Sequence, residues 1–187
     1  MKVIAITGMS GSGKSTLAKY LKDNLTNAIH IDYDVLNKNL MSKPENIKYA
    51  ISLFSESILN DDGSLNTKLI ADIIFSNNDL YYAWVGHMLM ECDNEVSIIV
   101  QNTNYDWLII EHNNIMFSRF SKIADYIILA KAPIKERFKR LQFREDINLN
   151  LLKQRDKHTV LIKEINSIYD GKNKEAILQD ILNLNLA

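Results

Sequence analysis

Short apolar runs alternate along the chain with longer stretches in which apolar residues recur every three or four positions. Runs that are apolar on both faces are typical of strands in a parallel sheet, and the recurring pattern is typical of helices that cover it. The runs assigned to strands are Val3–Ile6, Ala28–Ile31, Trp107–Glu111 and Tyr126–Leu129, followed by an edge strand with its turn at Asn166–Gly171. Because helix-length segments separate these runs, the predicted fold class is α/β, a five-stranded parallel sheet with helices on both faces.

The chain from Val35 to Cys92 is predicted to be mostly helical, with interruptions near Pro44 and at Asp61–Gly63. The segment Met88–Asp106 fits a helix or a short strand. Helix is favoured, because the stronger strand at Trp107 follows at once and two adjacent strands leave too little chain for a parallel crossover. Such a helical block suits either the binding of a second substrate or simple coverage of the sheet. Its predicted core-facing residues are Leu69, Ile73, Leu80, Trp84 and Met88.

The composition excludes some classes of protein but does not identify a function. A chain of 187 residues is long enough for one domain, and a net charge of −1 argues against a broad surface for nucleic acid or membrane. Cys92 is the single cysteine, which excludes an intrachain disulfide and predicts a buried, inert thiol. Met1 leads directly into the first strand, and no apolar run approaches the ~20 residues that span a bilayer. We therefore expect a cytoplasmic protein without a nucleic-acid or membrane partner.

The segment Gly8–Thr16 fits the pattern of a phosphate-binding loop: glycine, four residues, then Gly-Lys-Ser/Thr. It follows the first strand and opens a helix that runs to about Asn24, which is the order the chemistry requires. The glycines allow successive backbone N–H groups to face an anion, and the helix N-terminus adds its partial positive charge. Lys14 is expected to reach the β- and γ-phosphates and Ser15 to ligate Mg²⁺. The predicted nucleotide ligands in this segment are Gly8, Ser10, Gly11, Ser12, Gly13, Lys14, Ser15 and Thr16.

Acidic residues follow two of the predicted strands at the edge where ligands of open α/β sheets bind. Asp32 and Asp34 end the second strand, where a carboxylate can accept a proton from an attacking hydroxyl or hold a metal-bound water. Glu111 ends the third strand, where it can help to hold hydrated Mg²⁺. The neighbouring His112 is interpreted as a surface residue.

An arginine-bearing helix is predicted after the fourth strand, beginning near residue 134. Arg137, Arg140 and Arg144 recur on one side of it, and a second helix at about 149–162 would form a hairpin with it. Phosphoryl transfer needs cations against the developing charge, so this hairpin, residues 134–162, is interpreted as a lid over the nucleotide. Its like charges should repel one another until phosphate lies between them, which favours a lid that is mobile without ligand.

Taken together, these segments resemble the dephospho-coenzyme A kinases, a branch of the P-loop kinases. The segments that carry the resemblance are Thr7–Thr16, Ile31–Asp34, Asp62–Leu65, Ile74–Asn77, His87, Pro133–Arg144 and Ile147–Gln154. The resemblance implies a single P-loop kinase domain over 1–187, with a helical acceptor-binding insert at about 35–105 and the lid at about 134–162. It implies transfer of the γ-phosphoryl group of ATP, with Mg²⁺, to the ribose 3′-hydroxyl of dephospho-coenzyme A, the last step of coenzyme A biosynthesis.

The resemblance also implies roles for individual residues. Asp34 would be the general base, and Arg140 would act near the adenine and the phosphates. The implied catalytic residues are Lys14, Asp34, Arg140 and Arg144; the implied acceptor-binding residues are Asp32, Asp34, Lys68 and His87; the implied metal ligands are Ser15 and Glu111.

Three departures from the family pattern fall mainly in the acceptor region. Met88 follows His87 where the family has proline, and Asn66-Thr67 stand where the family has Asp-Arg. The Pro-Leu-Leu-Phe-Glu segment of the family corresponds at best to Asn113–Phe117. They leave open a kinase for another small acceptor, such as a nucleoside or nucleotide. A nucleotide-binding module that transfers no phosphate is the second alternative.

Overall fold

The five predicted strands form a single parallel sheet in the computed structural model, which describes residues 1–143, 147–159 and 164–184. The strand order is β2-β3-β1-β4-β5, and every neighbouring pair is parallel. The strands are β1 Lys2–Thr7, β2 Ala28–Asp32, β3 Trp107–Glu111, β4 Tyr126–Ala130 and β5 Ser167–Tyr169. The predicted α/β class with a five-stranded parallel sheet is therefore confirmed.

Helices fill the connections between the strands. They are α1 Lys14–Asn24, α2 Tyr33–Leu40, α3 Pro44–Phe54, α4 Thr67–Ser76, α5 Asn78–Gln101, α6 Arg119–Lys122, α7 Ile134–Gln142, α8 Leu149–Lys157 and α9 Lys174–Asn183. Short 3₁₀ turns lie at Glu56–Ile58 and Ile115–Phe117. The long helix α5 confirms that Met88–Gln101 is helical and that the strand begins only at Trp107.

The sheet places the ends of three strands beside one another. Ile6 of β1 pairs with Glu111 of β3, and Glu111 pairs with Asp32 of β2. The loop that starts at Gly8 therefore leaves the sheet next to two carboxylates. Strand β3 is buried throughout, and β1 and β4 are buried except at Lys2 and Ile127. Helices α1 and α9 pack on one face of the sheet. Their shared core contains Ile4, Ile6, Leu17, Leu21, Ile109, Ile128, Ile177 and Ile181.

The chain divides into two compact units, residues 1–32 with 98–187, and residues 33–97. The first unit holds the sheet and the phosphate loop. The second is helical. Trp84 and Met88 are buried there as predicted, at 4% and 2% exposure.

The core-facing positions predicted for α4 and the start of α5 are wrong by one residue. Ile70 and Ile74 are buried, whereas Leu69, Ile73 and Leu80 are only half-buried. Asn77 separates α4 from α5, so the apolar pattern belongs to two helix faces and does not follow one continuous stripe.

Three further expectations can be compared with the structure. His112 is buried rather than exposed, and its Nδ1 accepts a hydrogen bond from the backbone N–H of Asn114 at 3.1 Å. Helix α8 ends at Lys157, earlier than the predicted Ile162, which lies outside the described residues. Cys92 is buried as expected, and burial raises the pKa of its thiol to about 12, so the thiol is an unreactive neutral group. No helix among the described residues has the length and apolar character needed to cross a membrane.

Candidate active site

The loop between β1 and α1 has a backbone that only glycine accommodates well. Gly8, Gly11 and Gly13 have φ angles of 142°, 76° and 100°, in the region that L side chains rarely adopt. A Cβ on Gly8 would lie 2.3 Å from the carbonyl oxygen of Ala130, and one on Gly11 would lie 2.9 Å from that of Arg137. The glycines therefore allow the loop to pass close to β4 and α7.

A cavity of about 300 Å³ lies against this loop. Its lining residues are Gly11, Ser12, Gly13, Lys14, Ser15, Thr16, Arg140, Tyr169 and Gly171. The Ser12 hydroxyl is buried and finds no hydrogen-bond partner among the described residues. A buried, unsatisfied polar group beside a lysine and a helix N-terminus fits a phosphate group, which would satisfy both hydrogen bonding and charge. Most of the predicted nucleotide ligands therefore meet at one cavity.

Lys14 is 8% exposed and is the first residue of α1, at the end of the glycine loop. Its ammonium group donates to the carbonyl oxygen of Gly8 at 3.0 Å and to Oδ1 of Asn113 at 2.6 Å. Asn113 also donates from Nδ2 to the Ser10 hydroxyl at 3.0 Å. Ser10 belongs to the loop but is not among the residues that line the cavity.

The first lid helix, α7, is attached to the loop by its arginines. Arg137 is 3% exposed and makes a bidentate contact with Asp156 of α8 at 2.8 and 2.6 Å. It also donates to the backbone carbonyl of Ser10 at 3.2 Å. The expected repulsion among the lid arginines is therefore wrong for Arg137, because a carboxylate from the second lid helix pairs with its charge.

Arg140 lies one turn further along α7 and lines the cavity. It donates to the carbonyl oxygen of Gly11 at 3.0 Å and pairs with the exposed Glu136 at 3.1 Å. Tyr169 also lines the cavity. Burial raises the pKa of its hydroxyl, and the nearby Arg140 opposes that shift. Arg144, the other predicted lid cation, lies outside the described residues.

Two carboxylates stand side by side at the end of the sheet. Asp32 and Glu111 are paired in register on adjacent strands, so their side chains share one face. Glu111 is 1% exposed; its Oε1 lies 3.1 Å from Nε2 of His30, and its Oε2 is buried without a hydrogen-bond partner among the described residues. A cation or its hydration shell would satisfy that oxygen, so these residues fit Mg²⁺. The described residues contain no group of three or more His, Cys, Asp or Glu side chains arranged to hold a metal.

The remaining predicted residues belong to the second unit. Asp34 is in the first turn of α2, and Lys68 is exposed on α4. His87 of α5 stacks on Tyr49 with ring centroids 3.9 Å apart, and its Nε2 lies 2.7 Å from Oδ1 of the buried Asn46. Burial lowers the pKa of His87, which favours the neutral ring.

The hydrogen bonds of Asn46 define which nitrogen of His87 carries the proton. Nδ2 of Asn46 donates to the carbonyl oxygen of Leu40 at 2.9 Å, so its Oδ1 faces the histidine as an acceptor. Nε2 of His87 must therefore be the protonated nitrogen. The neutral ring then carries its acceptor lone pair on Nδ1.

Sequence reasoning missed Asn113, Tyr169 and Asp156. The first two follow or end parallel strands at the edge where ligands bind, and that position was the available signal. Asp156 gave no signal, because its arginine partner lies 19 residues away on another helix.

Two solved structures share the fold of this chain. TT1252 from Thermus thermophilus matches with a TM-score of 0.74 and 20% identity over 99% of this chain and 96% of its own. Shikimate kinase from Acinetobacter baumannii matches with a TM-score of 0.52 and 14% identity over 100% of this chain and 93% of its own. The parallel sheet and the glycine loop between β1 and α1 define the class as an α/β protein with a phosphate-binding loop.

Sequence comparison identifies the family within that class. The profile of the dephospho-CoA kinase family matches residues 2–169, and the chain belongs to this family. A dephospho-CoA kinase of Buchnera aphidicola subsp. Acyrthosiphon pisum is 29% identical over 148 residues, which is 78% of this chain and 67% of the relative. The resemblance found from the motifs is confirmed.

Proposed function

We propose that this protein transfers the γ-phosphoryl group of ATP to the ribose 3′-hydroxyl of dephospho-CoA, the last step of coenzyme A biosynthesis. The observation that carries the proposal is membership of the dephospho-CoA kinase family over residues 2–169. The cavity at the phosphate loop supports it, since a kinase of this class needs such a site for the nucleotide.

The loop side of the reaction stabilises charge on the phosphates. Backbone amides of Gly11 to Thr16 and the Lys14 ammonium hold the β- and γ-phosphates, and the charge that develops during transfer is met by Lys14 and by Arg140 from the lid. Arg144 is proposed to add a second lid cation. Tyr169 and Arg140 also line the cavity and are proposed to contact the nucleoside.

A magnesium ion is expected beside Ser15, which lies in the first turn of α1. When bound, such an ion would supply positive charge that stabilises the negatively charged phosphates. Ser15 would supply its hydroxyl, and Asp32 and Glu111 would hold water molecules of the hydrated ion. His30 would hold the Glu111 carboxylate in orientation through their 3.1 Å contact.

The acceptor side of the reaction is assigned to residues of the second unit and to Asp32. Asp34 accepts the proton of the acceptor hydroxyl as its oxygen forms a bond to the γ-phosphorus and the bond to the β-phosphate oxygen breaks. Lys68 supplies a cation for the acceptor's phosphates. His87 is proposed to contact the acceptor through Nδ1, the nitrogen that Asn46 leaves as an acceptor.

A panel of acceptors tests the proposal. ADP release is measured with dephospho-CoA, with nucleosides and with nucleoside monophosphates, each at the same concentration. Preferential turnover of dephospho-CoA is expected. Faster turnover of a nucleoside or nucleotide would assign another acceptor, and ATP binding without phosphorylation of any member would identify a binding module. The cytoplasmic location and the lack of a nucleic-acid partner stay predictions.

A further inference from the structure

Tyr169 is the last residue of β5, and its side chain reaches the phosphate loop. The residue is 3% exposed and belongs to the core that the sheet shares with α1 and α9. A Cβ added to Gly13 would lie 3.4 Å from Cε1 of Tyr169, the ring carbon next to the one that bears the hydroxyl. Since Tyr169 is also part of the cavity wall, the ring is packed in the core while its hydroxyl end lies beside the loop.

The Tyr169 hydroxyl makes no hydrogen bond within the part of the chain that the structure describes. Its oxygen is also not among the described side-chain oxygens that are sealed from solvent without a partner. Because the rest of the residue is buried, the remaining access to this oxygen is from the cavity that Tyr169 lines. Polar groups of buried side chains normally have a partner, so a molecule in the cavity is the expected one.

Tyr126 of the neighbouring strand β4 provides the comparison. It is 5% exposed, and its hydroxyl lies 2.5 Å from the Ser167 hydroxyl and donates to Oδ2 of Asp180 at 3.4 Å. The protein itself therefore satisfies the hydroxyl of Tyr126. Two nearly buried tyrosines on adjacent strands thus differ in one respect: the hydroxyl of Tyr169 lacks a partner among the described residues and lies at a cavity.

The surroundings of the Tyr169 hydroxyl favour its role as a hydrogen-bond donor. Burial raises the pKa of the hydroxyl, so the group keeps its proton at neutral pH. Arg140 is close enough for its charge to oppose that shift, and a guanidinium attracts the oxygen lone pairs and repels the proton. Arg140 itself is held by the Gly11 carbonyl oxygen and by Glu136, and it makes no hydrogen bond to Tyr169 in the described structure.

We propose that Tyr169 is a nucleotide-binding residue that acts through its hydroxyl, which donates a hydrogen bond to the bound nucleotide, and that its ring does not stack on the base. The inference rests on the proposed nucleotide-binding role of the cavity and specifies how one residue of its wall takes part. A ring that is packed in the core has no face left for a base, whereas a hydroxyl at the cavity can reach an acceptor atom of the ligand.

The test compares Tyr169→Phe with Tyr126→Phe. Each substitution removes one hydroxyl from a nearly buried tyrosine and keeps the ring, so the packing of the core is retained. Binding of a nonhydrolysable ATP analogue with Mg²⁺ is measured by calorimetry without acceptor. Thermal unfolding of each protein is measured with and without the analogue.

We expect Tyr169→Phe to weaken analogue binding by about fivefold, the loss typical of one hydrogen bond. Its melting temperature without ligand should be unchanged or higher, because the lost hydroxyl has no partner among the described residues, and the analogue should raise it less than in the unaltered protein. Tyr126→Phe should behave in the opposite way. It should melt at a lower temperature without ligand, because Ser167 and Asp180 lose their partner, and bind the analogue like the unaltered protein.

The opposite behaviour of the two variants separates ligand binding from support of the fold. Unchanged analogue binding by Tyr169→Phe would overturn the inference, since the ring alone would then suffice. A lower melting temperature of ligand-free Tyr169→Phe, similar to that of Tyr126→Phe, would assign the hydroxyl to the fold and overturn it too, as would equal losses of affinity in both variants. Failure of the unaltered protein to bind the analogue would instead overturn the proposed function, and the inference with it.

Discussion

The phosphate loop and the helical second unit carry the two halves of the proposed reaction, and they are built in opposite ways. The nucleotide ligands of the loop lie within nine consecutive residues, Gly8 to Thr16, and the backbone itself makes much of the site. The residues assigned to the acceptor in the second unit come from α2, α4 and α5. The residues proposed to bind phosphate are therefore neighbours in the sequence, whereas those proposed to bind the acceptor come from helices that are far apart in the sequence.

Because of this difference, we expect the two halves to tolerate substitutions unequally. A loop that binds by its backbone requires glycine at fixed positions, so its pattern survives intact in this chain. A site assembled from side chains on separate helices can exchange one residue for another while the fold is kept. The departures at Asn66-Thr67 and Met88 fall in the second kind of site.

Removing the lysine should have the largest effect on the loop half. Lys14→Ala is expected to lower kcat by about 10²-fold or more, because it removes a cation that meets the developing charge on the phosphates. Steady-state ADP release measures the loss. Lys19→Ala, an exposed lysine on the same helix, is the matched control and should keep normal turnover. An equal effect of both substitutions would contradict the assignment.

On the acceptor half, the corresponding test is Asp34→Asn, expected to lower kcat by about 10²-fold through loss of the proton acceptor. Asp72→Asn, an exposed aspartate of α4, is the control from the same unit. Full turnover by Asp34→Asn would mean that another group accepts the proton. Unfolding curves should accompany both variants, because Asp34 also lies in the first turn of α2.

The ion pair between Arg137 of α7 and Asp156 of α8 should contribute to the free energy of unfolding. Arg137→Met leaves the mostly buried Asp156 carboxylate without its bidentate partner, and we expect a loss of about 3 kcal/mol in the free energy of unfolding. Urea denaturation measures it. Replacing both partners, Arg137→Met with Asp156→Leu, should recover most of the loss.

The exposed pair on the same helix provides the control for that experiment. Glu136→Gln removes the partner of Arg140 at the surface and should change the free energy of unfolding by about 0.5 kcal/mol or less. A similar loss for Arg137→Met would show that the buried pair contributes no more than a surface pair.

The smallest expected effect concerns pH and the second unit. Burial lowers the pKa of His87 in the folded protein, so the unfolded chain binds more protons once the pH falls below about 6.5. The free energy of unfolding should therefore decrease as the pH is lowered through that range. Denaturant unfolding at a series of pH values, compared between the unaltered protein and His87→Gln, isolates this contribution. Identical pH dependence in the two proteins would contradict it.

Sequence patterns predicted the parts of the structure that are determined by short, continuous segments of the sequence. The β-strands are continuous apolar runs because the sheet is buried on both faces, so their limits agree with the structure to within about one residue at β1, β2 and β4. The cavity at Gly11 to Thr16 follows from a loop pattern that specifies backbone conformation.

The errors come from contacts between distant segments. Arg137 looked like one of a row of lid cations, but its partner Asp156 belongs to another helix, and helical spacing cannot reveal that pairing. His112 was predicted at the surface, yet it is buried in the turn that follows β3. Asn113 matched no phosphate-binding motif, although its side chain contacts Lys14 and Ser10 of the loop.

The position phosphorylated on the acceptor tests the central claim most directly. The purified protein is incubated with ATP, Mg²⁺ and either dephospho-CoA or its 3′-deoxyribose analogue, and the products are resolved by mass spectrometry and phosphorus NMR. The account predicts one added phosphate, on the ribose 3′-oxygen of dephospho-CoA, and no transfer to the 3′-deoxy analogue. Phosphorylation of the 3′-deoxy analogue, or no transfer to dephospho-CoA while another acceptor is phosphorylated, would contradict it.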